Sequence, residues 1–333
     1  MKILKTIIFA LVTVLLATGL YIGYLIKPDH SLALPEDNKE DVTANLETVN
    51  PFKGDDPLHI LVMGIDSTAT TDMTEDENPS RSDTMMLFTI DPVRKKVQVL
   101  SLPRDTYIKI PGYAEKTKLG HAYAYGGYLL AEETIEDFLD IKIDHYGIVD
   151  YKAVERLVDA IGGIDVVMDQ DYYYEDTYVV PPLVIDFKKG KNYLDGKEAV
   201  NYLRIRKMYE DQDIGRIQKQ QEFLLKVLEK VKKPSIILKV PELIDIAQKH
   251  SKTDLSYGQI AYLAKFALDL DKEDIITDTL VGDDQRIGDL DYYIVDEELA
   301  REQVRRFKEG KGSYYQEVQE QKESNENSSN DEE

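Results

Sequence analysis

The chain of 333 residues contains no cysteine. That absence excludes disulfide bonds, thiol catalysis and cysteine metal sites, and it suits an exported protein. Basic residues are also scarce, with 41 Lys and Arg against 63 Asp and Glu and a formal net charge of −22. Such a balance repels phosphate backbones, so the composition argues against general nucleic-acid binding. A cluster of arginines would therefore depart from the acidic composition of this chain and would indicate a function.

Several common catalytic motifs are missing as well. The sequence has no G-x-S-x-G nucleophile elbow, no H-E-x-x-H zinc motif and no P-loop, and it shows no internal repeat. A helix-turn-helix signal is also absent, which argues against direct DNA reading. Serine hydrolases of the elbow type, zinc proteases and P-loop NTPases therefore find no support.

One long apolar run lies near the N-terminus. Residues 7–26 carry no charged side chain, and about 20 apolar residues in a helix span a bilayer core of about 30 Å. Because Lys2 and Lys5 precede the run, the positive-inside rule predicts a cytoplasmic segment at 1–6 and an extracellular remainder. The alternative is a cleaved signal peptide, but the run is longer than its usual core and no A-x-A site ends it. We therefore expect a single-pass protein of the cell membrane with a signal-anchor helix.

The remainder of the chain divides by composition. Residues 27–56 are polar with scattered acids and prolines, which is typical of an extracellular stalk. Residues 57–310 have the composition of one large globular domain with a C-terminal helical extension. This segment is long enough to bury a full core. Residues 311–333 become acidic and, from Gln316, nearly lack apolar side chains, so we expect a disordered tail.

Three strand signals open the large domain, at 58–65, 84–90 and 96–102. The segment DPVRKK between the last two is short and turn-like, which predicts a hairpin. A centre near residues 93–94 pairs residue 83 with residue 104. If neighbouring strands are antiparallel, five charged residues would lie at one edge of the sheet: Asp66, Arg81, Asp83, Arg104 and Asp105.

Later segments carry helix signals that alternate with strands. Helices are predicted at 132–140, 150–163, 196–206 and about 214–231, with a strand at 164–169. The second helix has Asp150 as its N-cap and Gly162 as its C-cap. On the last helix, Asp213, Arg216 and Gln220 follow the i, i+3, i+7 spacing of one polar face. This alternation predicts an α/β fold, a single α-β-α sandwich with a mixed central sheet.

Asp66 and Asp83 form the first candidate site. Two carboxylates at facing strand ends, without a lysine partner, repel each other, and a divalent cation relieves the repulsion. Mg²⁺ typically takes one or two carboxylates together with phosphate oxygens. The alternative is two solvated loop acids, because acids are common throughout this chain.

Arginines form the second candidate site. They are Arg81, Arg104, Arg204, Arg206 and Arg216. Guanidinium groups bind phosphate oxygens through paired hydrogen bonds, so several at one place suggest a diphosphate ligand. Surface ion pairs with the plentiful acids are the alternative. For His121 a structural role is favoured over that of a base or ligand.

Seven blocks of sequence resemble, in order, the signature blocks of the LytR-CpsA-Psr family. They are MGIDS (63–67), RSDTMMLFTIDP (81–92), LSLPRDTYIKIPG (100–112), KLGHAYAYGG (118–127), IDHYGIVDYKAVERLVDAIGGIDV (143–166), LDGKEAVNYLRIRK (194–207) and DIGRIQKQQ (213–221). The match covers most of residues 58–231, and the N-terminal anchor fits it. A single block is a weak signal, whereas seven in order are specific.

The resemblance implies a function. Members of this family attach anionic glycopolymers, such as wall teichoic acid or capsule, to peptidoglycan on the outer face of Gram-positive membranes. The donor would be a glycopolymer joined to a polyprenyl lipid through pyrophosphate, with peptidoglycan as the acceptor. The products would be a phosphodiester and a polyprenyl phosphate. The implied enzyme is a phosphotransferase that uses Mg²⁺ or Mn²⁺ at a membrane lipid, with no nucleic-acid partner.

The resemblance also implies roles for single residues. Asp66 and Asp83 would hold the metal. The pyrophosphate would be bound by Arg81, Arg104, Arg204, Arg206, Arg216, Lys219 and Gln220. Arg104, Asp213 and Arg216 would act in catalysis, and Asp213 or Asp105 would serve as a general base.

Two positions depart from the family pattern. Lys219 stands where the family usually has arginine, so the charge is kept and the bidentate fork is lost. Gly120 stands where the family often has asparagine, so an amide contact is lost. Two other activities fit the same residues: a hydrolase that uses water as the acceptor, and a non-catalytic receptor or regulator of envelope biogenesis.

Overall fold

A computed structural model describes residues 50–65, 82–177, 183–205, 212–237, 239, 242–243, 246 and 249–321. The predicted membrane helix at 7–26 and almost all of the predicted stalk lie outside these residues. Within the described part of the chain, no helix is long and apolar enough to cross a membrane. All of the described residues belong to one unit that begins at Asn50.

The described strands are β1 (Leu58–Ile65), β2 (Ser82–Asp91), β3 (Lys96–Ser101), β4 (Tyr107–Lys109), β5 (Lys116–Lys118), β6 (His145–Asp150), β7 (Ile164–Met168), β8 (Tyr172–Asp176), β9 (Leu183–Phe187), β10 (Gly190–Leu194), β11 (Ser251–Thr253), β12 (Ile275–Thr279), β13 (Gly282–Ile287) and β14 (Leu290–Val295). The helices are α1 (Gly120–Leu139), α2 (Tyr151–Ala160), α3 (Gly196–Leu203), α4 (Gln212–Val231), α5 (Pro234–Ile237), α6 (Tyr257–Asp269), α7 (Glu297–Lys308) and α8 (314–321).

A six-stranded sheet in the order β11-β6-β1-β2-β3-β12 forms the centre of the described residues. The β1–β2, β2–β3 and β6–β11 pairs are antiparallel, whereas the β1–β6 and β3–β12 pairs are parallel. The predicted mixed sheet is therefore confirmed. Each parallel pair needs a long crossover, and helices of the chain supply it.

The β2–β3 hairpin has the predicted register. Its pairs run from Asp91↔Lys96 to Met86↔Ser101, and the same register extended by three residues would place residue 83 opposite residue 104. The turn is stabilised by the Asp91 carboxylate, which accepts hydrogen bonds from the backbone N–H groups of residues 93 and 94 at 2.9 and 2.8 Å. An aspartate that begins a turn commonly accepts such bonds.

Apolar side chains cover both faces of the sheet, as strand alternation requires. Leu61 and Leu87 point to one face and belong to a buried cluster with residues of α1 and α7. Ile60 and Val99 point to the other face and pack with residues of α4 and α6. The predicted α-β-α arrangement is thus present in the described residues.

A separate apolar cluster joins α2, α3 and α4 to two small antiparallel sheets, β7–β10 and β8–β9. Its members include Val166, Ile185, Leu194, Tyr202 and Phe223, all of them buried. Because α4 contributes to this cluster and also packs on the central sheet, its position is determined from two sides.

Three helix boundaries differ from the sequence prediction. Helix α1 begins at Gly120 rather than residue 132, and it consists of two helical segments that meet at a non-helical kink at Gly126 and Gly127. Helix α2 has the predicted N-cap, with Asp150 accepting from the Ala153 N–H at 2.7 Å, and ends at residue 160. Helix α3 ends at residue 203, because its last turn tightens and Arg204 caps it by bonding to the Asn201 carbonyl.

The expectation of disorder from residue 311 was wrong for its first part. Residues 314–321 are helical, since the buried carboxylate of Asp278 accepts hydrogen bonds from the backbone N–H groups of Tyr314 and Tyr315. Residues 322–333 lie outside the described residues.

Candidate active site

One edge of the central sheet collects the carboxyl ends of four strands. The register pairs Ile65 at the end of β1 with Asp150 at the end of β6, and Ser101 at the end of β3 with Thr279 at the end of β12. Strand β2, which is antiparallel to β1, starts at this same edge. Ligands of open α/β sheets commonly bind outside the carboxyl ends of the strands.

Gly64 allows β1 and β2 to approach closely at this edge. It pairs with Thr84, and a Cβ atom at residue 64 would lie 3.1 Å from the Thr84 Cβ. The register then shifts, so that Ile65 pairs with Ser82. The Ser82 hydroxyl donates to the Thr84 carbonyl at 2.9 Å. The irregularity holds the start of β2, including Asp83, at the sheet edge, a common role of bulges.

Asp83 and Arg104 form an ion pair at the centre of the site. The Arg104 Nη1 atom lies 2.5 Å from the Asp83 Oδ1 atom. The two side chains are 24% and 22% exposed, so a ligand can reach them. Gly120 secures the backbone of Arg104, because its N–H donates to the Arg104 carbonyl at 2.8 Å. The predicted proximity of residues 83 and 104 is therefore confirmed by a contact between their side chains.

Asp105 extends the charged cluster away from Asp83. One carboxylate oxygen lies 2.9 Å from the Lys118 ammonium, and the other lies 3.8 Å from the Arg104 Nε atom. The Asp105 carbonyl accepts a hydrogen bond from the Tyr293 N–H at 2.9 Å. These contacts give Asp105 a role in orienting Lys118 and Arg104.

Helix α4 brings two of the predicted residues to the start of β2. The buried Arg216 donates from Nη2 to the Asp83 carbonyl at 3.4 Å, and Gln220 donates from Nε2 to the Thr84 hydroxyl at 3.0 Å. Residues four apart share one helix face, as the spacing predicted. The backbone of Asp213 lies in the first turn of α4, and its side chain is outside the described residues.

Gln221, next to this face, is a site-forming residue that sequence reasoning missed. Its buried amide nitrogen donates to the Ser101 hydroxyl at 2.9 Å, the Asp278 carbonyl at 2.8 Å and the Thr279 hydroxyl at 3.1 Å. These bonds fasten α4 to the ends of β3 and β12. A signal existed, because a glutamine four residues after Ile217 falls on the apolar stripe of the helix.

The remaining predicted residues have different surroundings. The Arg204 guanidinium lies 4.8 Å from the ring centroid of Tyr151, which follows β6 at the same sheet edge. Lys219 forms ion pairs with Glu222 at 3.2 Å and Asp169 at 3.8 Å. The residues Asp66, Arg81 and Arg206 lie outside the described part of the chain.

His121 follows Gly120 and forms local contacts. Its Nδ1 atom lies 2.8 Å from the Thr117 hydroxyl and 3.5 Å from the Tyr125 hydroxyl. These contacts join β5 to the start of α1, which agrees with the structural role favoured for this histidine.

The described residues contain few candidate metal ligands. Among them, no group of three or more histidine or acidic side chains is arranged to hold a metal. Mg²⁺ bound with phosphates needs only one or two protein carboxylates. Asp83 meets that need chemically, as a partly exposed carboxylate beside two arginines. The arrangement as a whole can bind an anionic ligand such as a pyrophosphate.

Comparisons with known proteins point in one direction. The model of the LytR_cpsA_psr family matches residues 27–309. The chain is 34% identical, over 270 residues, to the polyisoprenyl-teichoic acid–peptidoglycan teichoic acid transferase TagU of Enterococcus faecalis, which covers 80% of the chain and 83% of that relative.

Solved structures agree. The crystal structure of B. subtilis TagV superposes with a TM-score of 0.63 at 29% identity, covering 75% of this chain and 95% of that one. A structure of TagT bound to LI-WTA superposes with a TM-score of 0.58 at 28% identity, covering 76% and 89%.

Proposed function

The chain belongs to the LytR-CpsA-Psr family, and we propose that it transfers an anionic glycopolymer from a polyprenyl-pyrophosphate carrier to peptidoglycan. The names of its relatives support a teichoic acid as the polymer. The observation that carries the proposal is the convergence of two guanidinium groups on Asp83, one on its carboxylate and one on its carbonyl. Such a pair suits the two phosphates of the donor.

The reaction is a phosphoryl transfer with balanced bonds. A hydroxyl oxygen of peptidoglycan attacks the phosphorus nearest the glycopolymer, and a new phosphorus–oxygen bond forms. The bond to the bridging pyrophosphate oxygen breaks, polyprenyl phosphate leaves, and the hydroxyl proton passes to a base or to solvent. Such chemistry needs positioning and charge stabilisation more than covalent help from the protein.

Arg104 and Arg216 provide that positioning. Negative charge grows on the oxygen between the phosphates as the bond breaks, and fixed guanidinium groups stabilise it without reorganisation. Asp83 holds Arg104 in place before the ligand arrives. Gln220, bonded to Thr84, keeps the facing side of α4 at a constant distance from β2.

A divalent cation, Mg²⁺ or Mn²⁺, would be held by Asp83 and Asp66 and would neutralise charge on the pyrophosphate oxygens. The general base, for which Asp213 and Asp105 remain the candidates, would accept the hydroxyl proton. Arg81, Arg204, Arg206 and Lys219 would add positive charge around the donor.

The proposed location follows from the apolar run at 7–26. A single membrane helix with the domain outside would hold the site between a lipid-borne donor and the wall. The predicted stalk at 27–56 would set the reach of the site above the membrane.

A transfer assay with the full chain in lipid vesicles tests the proposal. A lipid-pyrophosphate glycan, Mg²⁺ and peptidoglycan oligomers are supplied, and glycan-phosphate on peptidoglycan is measured. We expect transfer by the wild type and a loss of at least about 100-fold in Arg104→Ala, the size seen when one transition-state contact is removed.

The matched control is Arg94→Ala. Arg94 forms an ion pair with Asp91 at 3.0 Å in the β2–β3 turn, at the opposite end of the same hairpin, so its loss should leave transfer intact. Release of polyprenyl phosphate without transfer would instead support a hydrolase. Binding without turnover would support a receptor.

A further inference from the structure

The segment Ser313–Tyr315 docks on one buried carboxylate, that of Asp278 in β12. Asp278 is 2% exposed. Its Oδ1 atom accepts from the Ser313 hydroxyl at 2.9 Å and from the Tyr315 N–H at 3.1 Å, and its Oδ2 atom accepts from the Tyr314 N–H at 3.3 Å. A buried carboxylate with this many donors is well satisfied and hard to displace.

The same Asp278 also contacts the helix of the candidate site. Its backbone carbonyl accepts the hydrogen bond from the Gln221 amide at 2.8 Å. In addition, the Tyr315 side chain packs against a small apolar cluster that contains Ile214 and Ile217 of α4. These two residues flank Arg216 along the helix. The C-terminal segment therefore contacts α4 at the turn that carries the arginine.

The contact is concentrated in three residues. A cavity of about 230 Å³ is lined by Gln218 and Gln221 of α4 and by Gln316, Gln319 and Glu320 of α8. Because this cavity separates much of α8 from α4, the contact of the C-terminal segment with α4 relies on residues 313–315, whereas Glu317 of α8 forms an ion pair with Arg306 of α7. Ser313 also caps α8, since its hydroxyl accepts from the Gln316 N–H at 3.2 Å.

We propose that residues 313–315, together with Asp278, act as a clamp that positions α4 for donor binding. Ser313, Tyr315 and Asp278 are positioning residues. The inference rests on the proposed function for the identity of the ligand, a prenyl pyrophosphate.

The geometry explains why a small shift matters. The bond from Arg216 Nη2 to the Asp83 carbonyl is already long, at 3.4 Å. Displacement of the first turns of α4 by a few tenths of an ångström would break it. Arg216 would then lose its contact with Asp83, and misplacement of a positioning group lowers affinity and rate.

The test compares two serine caps in the full chain, Ser313→Ala and Ser256→Ala. Ser256 caps α6 with the same type of bond, to the Gln259 N–H, and has no part in the clamp. Ser256→Ala should lower Tm by about 2–4 °C through loss of the cap, and Ser313→Ala should lower it further because the hydrogen bond to the buried Asp278 carboxylate is also lost. Only Ser313→Ala should weaken binding of farnesyl pyrophosphate with Mg²⁺, by about 3- to 10-fold.

Hydrogen exchange separates the clamp from the proposed function. Amides at 214–220 should exchange faster in Ser313→Ala than in Ser256→Ala, whether or not the ligand binds. Tyr315→Ala should behave like Ser313→Ala, and Tyr315→Phe should restore both readouts. Equal exchange at 214–220 in the two serine variants would overturn the clamp, and failure of wild-type binding would overturn the proposed function alone.

Discussion

Replacement of Gln221 by methionine should destabilise the protein far more than an exposed glutamine on the same helix would. The amide nitrogen of Gln221 is buried and faces three acceptors at 2.8 to 3.1 Å. Methionine has a similar length and no donor, so the change removes the bonds without leaving a large cavity.

The magnitude follows from these contacts. Each lost hydrogen bond costs roughly 1 kcal/mol net, and acceptors left buried without a donor add roughly 1–3 kcal/mol. Because the amide has two N–H groups for three acceptors, we expect a total loss of about 2–4 kcal/mol. For a domain of this size the melting temperature should fall by roughly 5–15 °C.

Thermal and urea unfolding, followed by circular dichroism, provide the assay. Gln218→Met is the matched control, since Gln218 is exposed and lies three residues earlier on α4; we expect it to change stability by less than about 0.5 kcal/mol. If the two variants unfolded within about 0.5 kcal/mol of each other, the account of Gln221 as the anchor of α4 would be refuted.

Three further predictions concern other residues. Burial, together with Lys308, lowers the pKa of His59 to about 4, with a smaller opposing effect from Asp144. His59 in the folded protein therefore stays neutral where the same histidine of the unfolded chain is protonated, below about pH 6.5. This difference should lower the free energy of unfolding by about 2 kcal/mol from pH 7 to pH 5. In urea unfolding, the stability of His59→Gln should therefore fall by about 2 kcal/mol less than that of the wild type over the same pH range. An equal fall in the two proteins would contradict this prediction. Gly120→Ala should destabilise by about 1 kcal/mol despite the usual gain from replacing glycine, because its Cβ would lie 3.3 Å from two backbone oxygens. Gly147→Ala, whose Cβ would meet its nearest atom at 3.7 Å, is the control, and equal stabilities would count against the packing argument. Tyr151→Leu should weaken prenyl-pyrophosphate binding by about 2- to 5-fold in a titration, because Arg204 loses a cation–π contact; unchanged binding would remove Arg204 from the site.

The register of the site was predictable because its determinants are local. A short turn and strict alternation leave few ways to pair β2 with β3, so residues 83 and 104 could be placed opposite each other before any contact was known. The helical spacing likewise placed Arg216 and Gln220 on one face. In both cases a few neighbouring residues contain all the information.

Other features depend on contacts between distant residues. Asp278 and Ser313 are 35 residues apart, and the sequence around Ser313 does not indicate that its hydroxyl contacts a buried carboxylate. The polar sequence after residue 311 therefore suggested disorder where a clamp forms. The start of α1 was missed for a different reason, because Gly126 and Gly127 form a kink that separates a first helical segment from the predicted one. The roles of Asp66, Arg81, Arg206 and Asp213 remain predictions.

The central claim is that the Asp83, Arg104 and Arg216 cluster binds the donor pyrophosphate for transfer to peptidoglycan. The most direct measurement follows a donor labelled with ³²P at the phosphorus nearest the glycopolymer. The account predicts that the label enters peptidoglycan as a phosphodiester with the wild type and with Arg94→Ala, and that it stays in the donor with Asp83→Asn and Arg104→Ala. Label found on free glycopolymer in the wild-type reaction, or undiminished transfer by Arg104→Ala, would contradict it.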